Sequence, residues 1–157
     1  MDKVLKNIIR TGQVSSTDPS TCSVRVAFED GLVSYDLPVV VPQSLNNKDY
    51  CLPDVGEHVV CIFLPTGNAQ GFCLGSFYSD ADDPPVSSQD KRHVKFADGT
   101  FVEHDRSSST LTIDCKGSVI IKAAGNVTVT GDVTADGISL KNHIHPESIG
   151  SVTGKPQ

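Results

Sequence analysis

The stretch Gly117-Ser118-Val119-Ile120-Ile121-Lys122-Ala123, Gly125-Asn126-Val127-Thr128-Val129-Thr130, Gly131-Asp132-Val133-Thr134-Ala135-Asp136, Gly137-Ile138-Ser139-Leu140 consists of short alternating units, each opened by a glycine. The glycines lie eight, six and six residues apart. Apolar and polar residues alternating at a period of two are the pattern of a strand with one buried face. Short glycine-punctuated β units in series read as a β-solenoid or β-helix. Each unit is too short to wrap a core by itself, and fixing a residue's backbone costs about 1–2 kcal/mol. One thin apolar stripe in a lone chain falls short of that cost. Intertwined identical chains remedy this, because the stripes then meet on a shared axis and every strand edge finds a partner chain.

Outward from the repeats, Asp98-Gly99 between Val94-Lys95-Phe96 and Phe101-Val102-Glu103 predicts a two-residue hairpin that pairs Phe96 with Phe101. Thr110-Leu111-Thr112-Ile113-Asp114-Cys115 predicts a further strand. Upstream, Asp80-Ala81-Asp82-Asp83-Pro84-Pro85-Val86-Ser87-Ser88 reads as a solvated, extended linker rather than a cation site, since acids, a proline pair and serines bury no apolar surface.

The first half follows a different pattern. Val4, Leu5, Ile8 and Ile9 have the spacing of one helical face. Short strands follow. Val24, Val26 and Phe28 alternate; Glu29-Asp30-Gly31 turns the chain; Tyr35 to Val41 reads as a strand closed by Pro42. Val59-Val60-Cys61-Ile62-Phe63-Leu64 reads as a strand covered on both faces, and Pro65-Thr66-Gly67-Asn68 turns into a strand from Phe72 to Phe77. Five short strands with little helix predict an all-β barrel of the OB type. The division expected is a barrel with a short N-terminal helix over 1–79, a linker over 80–91, a shaft over 92–140 and an apex over 141–157.

Composition narrows the function. The formal net charge is −6, which opposes a nucleic-acid partner, whose phosphates need a basic face. No apolar run approaches the roughly 18–20 residues that span a bilayer, and the start lacks the apolar core of a signal peptide. The chain therefore reads as soluble and made in the cytoplasm. The five cysteines (Cys22, Cys51, Cys61, Cys73, Cys115) are odd in number and form no Cys-x-x-Cys pair, so they read as small buried hydrophobes.

The chemistry-bearing feature is Lys141-Asn142-His143-Ile144-His145-Pro146. On an extended segment His143 and His145 point the same way. At the end of a trimeric β-helix, three copies would gather six imidazole nitrogens on one axis. Structural zinc prefers four ligands; six nitrogens suit an octahedral first-row ion, iron before nickel or cobalt. His58, His93 and His104 lack such spacing. A cupin-type enzyme would need a further carboxylate and a later His, and the twelve residues after His145 contain no His. A peptidoglycan hydrolase would need a paired-carboxylate site in a substantial fold. No enzymatic activity is expected. The alternative class is an oligosaccharide-binding OB module with a β-structured oligomerisation tail.

Several stretches together resemble the baseplate assembly protein V family, the central membrane-piercing spike of contractile phage tails and related R-type bacteriocins. They are Arg10-Thr11-Gly12-Gln13-Val14, Leu52-Pro53-Asp54-Val55-Gly56-Glu57, Gly71-Phe72-Cys73-Leu74-Gly75-Ser76-Phe77-Tyr78, Asp98-Gly99-Thr100, Asn142-His143-Ile144-His145 and Thr153-Gly154-Lys155-Pro156-Gln157. The resemblance implies an OB barrel docked on the tube-capping baseplate hub. It also implies a trimeric β-helix and a pointed apex holding one iron ion through His143 and His145 of each chain. The implied location is the tail tip of a virion or tail-like particle, with the target cell envelope as the other partner.

Overall fold

The computed structural model describes residues 7–66, 69–146, 150 and 152–154. The protein is all-β, and none of the described residues forms an α-helix. Its strands are β1 (Ile9–Asp18), β2 (Ser23–Ala27), β3 (Leu37–Pro38), β4 (His58–Phe63), β5 (Gly71–Ser76), β6 (Lys91–Lys95), β7 (Phe101–Asp105), β8 (Thr110–Asp114), β9 (Thr134–Ala135) and β10 (Ile138–Ser139). The chain divides into two compact units, residues 1–93 with 103–110, and residues 94–102 with 111–157.

The first unit contains a five-stranded sheet in the order β3-β2-β1-β4-β5. Beyond β3 the chain leaves β2, and Val39 bridges Cys73 of β5 in parallel, bringing the two edges of the sheet together into a nearly closed barrel. The Val40 amide donates to the Cys73 carbonyl at 2.8 Å. Val24, Val26 and Phe28, the alternating face read from the sequence, are buried together with Val14, Leu37, Val59, Cys61 and Cys73, and Val39, Leu52 and Phe63 pack against them. Ser34 is also buried, and its hydroxyl accepts the Val26 amide at 2.9 Å.

Four local expectations change. Val4 and Leu5 of the expected helix lie outside the described residues, but Ile9 opens β1 opposite Ile62 of β4 rather than a helical turn. The expected strand from Tyr35 to Val41 shortens to Leu37–Pro38, because Pro38 has no amide to give a ladder and the chain changes partner at Val39. β4 is covered on one face only: Val59 and Cys61 are buried, while Val60 and Ile62 are half-exposed. Of the cysteines, Cys61 and Cys73 are buried, Cys22 and Cys115 half-buried and Cys51 exposed; all are free thiols. Gly67 and Asn68 of the expected turn lie outside the described residues.

β6, β7 and β8 form a three-stranded sheet in chain order. The turn at Asp98-Gly99 differs from the two-residue form. The Phe96 amide donates to the Thr100 carbonyl at 2.8 Å and the Gly99 amide to the Phe96 carbonyl at 3.0 Å. Phe96 therefore faces Thr100 across the three-residue loop 97–99, and Gly99 takes φ +89°, as in a type I turn followed by a left-handed bulge residue. In the second unit, the chain from 115 to 133 contains no strand, and β9 and β10 pair as a small hairpin with Ala135 opposite Ile138.

Candidate metal centre

The two histidines singled out by the sequence sit just after the β9–β10 hairpin. That hairpin turns at Asp136-Gly137, whose φ values of +49° and +83° are both positive. This is the two-residue primed turn that Asp-Gly favours, at a position where the repeat pattern alone suggested another strand junction. β10 then runs through a turn at residues 140–142 into His143.

His143 and His145 lie with ring centroids 5.1 Å apart and ring planes at 90°. The His143 amide donates to the Ser139 carbonyl at 3.0 Å. Its ring Nδ1 stands 3.1 Å from the same oxygen and 3.0 Å from the Leu140 carbonyl. Carbonyl oxygens only accept, so Nδ1 is the donor, which in the uncharged ring leaves the lone pair on Nε2. A backbone carbonyl on the far nitrogen is the usual support of a metal-bound imidazole. His145 is fixed through its backbone: its amide donates to the Thr153 Oγ1 at 2.9 Å, and the Thr153 amide returns to the His145 carbonyl at 2.9 Å. Pro146 and Val152 form an antiparallel bridge beside this pair.

Imidazoles are donors that borderline first-row ions take, and the contacts of His143 Nδ1 with two carbonyls leave Nε2 as the ring nitrogen that could face an ion. Among the described residues, no group of three or more His, Cys, Asp or Glu side chains comes together within the chain.

The remaining histidines are engaged elsewhere or exposed. His58 Nε2 is 3.1 Å from Gln13 Nε2, and its Nδ1 is 3.3 Å from Ser79 Oγ. Its Nδ1 also lies 3.7 Å from Asp82, one of the three linker acids. His93 Nδ1 is 2.9 Å from Glu103, which also accepts Lys91 Nζ at 2.8 Å. His104 is exposed. Sequence reasoning passed over Thr153, Ser139 and Asp132 as supports of the histidine pair; Ser and Thr in a β-rich tail carry no signal that separates a brace from a solvated residue.

The apolar groove at the barrel, about 350 Å³, is lined by Phe28, Phe63, Leu32, Tyr35 and Arg10 among others. The cation among its described lining residues is committed: Arg10 bonds Asp30 at 2.6 Å and lies 3.8 Å over the Phe28 ring.

No protein-family model matches the chain. The chain is similar to the spike protein of Escherichia phage P2. The two are 29% identical over 128 residues, which cover 82% of this chain and 60% of that protein. The matched segment thus spans about 60% of the curated relative's length.

Proposed function

We propose that this chain is the central spike of a contractile phage tail or tail-like bacteriocin, of the baseplate assembly protein V kind. In this reading three copies assemble. The barrel, of OB type, docks on the tube-capping hub of the baseplate, and the repeat half winds with its two partners into a β-helix. His143 and His145 of the three chains hold one iron ion at the apex. The role is mechanical, with no catalytic step. Sheath contraction drives the tube forward and the apex meets the target cell envelope. An interlocked trimer resists fraying because one chain cannot unfold without unthreading from two others. The chain is made in the bacterial host cytoplasm and ends in the particle.

The observation that carries the reading is the state of the repeats in a single chain. Val119, Ile120, Ile121, Val127, Val129 and Val133 are all exposed, Ile120 by 75%. They stand on a segment with no strand of its own. Soluble monomers rarely display so continuous an apolar run, and no helix among the described residues is long and apolar enough to cross a membrane. Winding with identical chains would bury these side chains and pair the backbone. The strand order with parallel closure between Val39 and Cys73 supports the OB reading, and the similarity to the phage P2 spike supports the particle role.

Light scattering tests the assembly: the expected mass is three times that of the 16.7 kDa chain, persisting in mild SDS, and a monomer refutes it. Elemental analysis tests the apex. Wild type should carry one transition-metal ion per three chains, and His143→Ala combined with His145→Ala should carry none, with the barrel still folded. A metal-free wild type removes the metal from the proposal.

A further inference from the structure

We propose that Asp132 and Ser139 are positioning residues for His143, forming a hydrogen-bonded bracket that holds its ring as the Nδ1–H tautomer and so reserves Nε2 for a metal. This rests on the apex reading above. The bracket is built from two residues seven apart, brought together by the β9–β10 hairpin. That hairpin pairs Ser139 with Thr134 and Ile138 with Ala135, and the Leu140 amide adds a bond to the Val133 carbonyl at 2.8 Å.

Asp132 ties both arms. Its Oδ2 accepts the Ser139 hydroxyl at 2.5 Å, while its Oδ1 accepts the amides of Val133 at 2.8 Å and Lys141 at 3.1 Å. The Ser139 hydroxyl oxygen in turn accepts the Asn142 amide at 2.9 Å. One carboxylate and one hydroxyl thus fix the backbone of residues 139–142, the turn whose two carbonyls, Ser139 and Leu140, face His143 Nδ1. The Ser139 hydroxyl first, and then the two amides, hold the Asp132 carboxyl below its ordinary pKa of 3.8, consistent with an ionised acceptor. Hydrogen bonds to an ionised acceptor are stronger than neutral ones, so the bracket is stiffest at Ser139 and Lys141, on either side of the Leu140 carbonyl that faces His143.

A purely structural hairpin would need the bonds from Asp132 to the β9–β10 arms but would have no reason to aim carbonyls at an imidazole nitrogen. Outer partners of metal-bound histidines typically contribute about 10–100-fold in affinity. The bracket predicts that range for Asp132→Asn and for Ser139→Ala, with Ser139→Thr, which keeps the hydroxyl, near wild type.

The test uses the full chain with ¹⁵N-labelled histidine and cobalt(II) as the probe metal. In metal-free wild type at neutral pH, the His143 ring should show the nitrogen shifts of the Nδ1–H tautomer; the Nε2–H form overturns the proposal whatever the variants do. In Asp132→Asn and Ser139→Ala the tautomers should mix and cobalt affinity should fall about 10–100-fold, with restoration in Ser139→Thr. Unchanged affinity and tautomer in folded variants overturn it. Wild type that binds no cobalt sinks the apex reading instead, and the tautomer measurement then decides the bracket alone.

Discussion

Single residues explain why two turns of this protein look alike. Phe28-Glu29-Asp30-Gly31-Leu32 and Phe96-Ala97-Asp98-Gly99-Thr100 share a Phe-x-Asp-Gly pattern, and each closes a three-residue loop. In both, the glycine amide bonds the phenylalanine carbonyl at 3.0 Å. The aspartate accepts the amide two residues on, at 3.1 Å for Asp30 and 2.8 Å for Asp98. Glycine is needed because φ is +80° and +89°, where a Cβ costs roughly 1–2 kcal/mol. Gly12 is needed for a different reason: an added Cβ would collide with the Ala27 carbonyl oxygen and stand 2.7 Å from Val26 Cγ1. Backbone cannot yield as a side chain can, so Gly12→Ala should destabilise the barrel by about 1–3 kcal/mol, read as a lowered thermal midpoint. The thiols divide by burial. Cys61 and Cys73 face each other across β4 and β5; the hydrogen bond with Cys73 and then burial push the Cys61 thiol up, so it is a poor nucleophile. A thiol reagent should label Cys51 first in the native protein, and Cys61 and Cys73 only on unfolding.

Among the elements, the β6–β7 pair carries the clearest electrostatic signature. Lys91 and His93, two apart on β6, both reach Glu103 on β7. Lys91 first, then His93, hold the Glu103 carboxyl below its ordinary value of 4.5. Its contribution to stability is therefore complete above about pH 4.5 and is lost as pH falls through the lower folded value. Lys91 is raised above 10.5 by the same partner, so its contribution is present below about pH 10.5 and is lost as pH rises further. Asp18, Asp98, Asp105 and Asp132 are also held down, chiefly by hydrogen bonds from neighbouring hydroxyls and amides, and add to the acid limb. The thermal midpoint should fall as pH drops below about 4.5 and again as it rises past about 10.5, and Glu103→Gln should make both limbs shallower.

For the whole molecule, the decisive question is what covers the repeats. Val127 and Val129 are exposed by 61% and 57% in the single chain, so Val127→Asp with Val129→Asp would cost a monomer almost nothing. In a trimer that buries the row, the same pair should lower the light-scattering mass to one chain while the barrel core stays intact. Much of this architecture was legible beforehand. Alternation alone picked out Val24, Val26 and Phe28, because a period of two puts every second side chain on one face whatever lies across it, whereas the continuous apolar run 59–64 did not show that only Val59 and Cys61 would be buried. The spacing of His143 and His145 likewise placed two imidazoles within reach of each other. Tertiary structure alone decided where strands change partner and which turns form. Pro38 and Val39 divide β3 between two neighbours, the Asp-Gly at 98–99 becomes a three-residue loop, and the Asp-Gly at 136–137 makes the two-residue one. It also brought Asp132 to Ser139 and Thr153 to His145. Such choices depend on which backbone amides and carbonyls are left to be satisfied once the sheets have formed, and a local pattern of side chains does not contain that information.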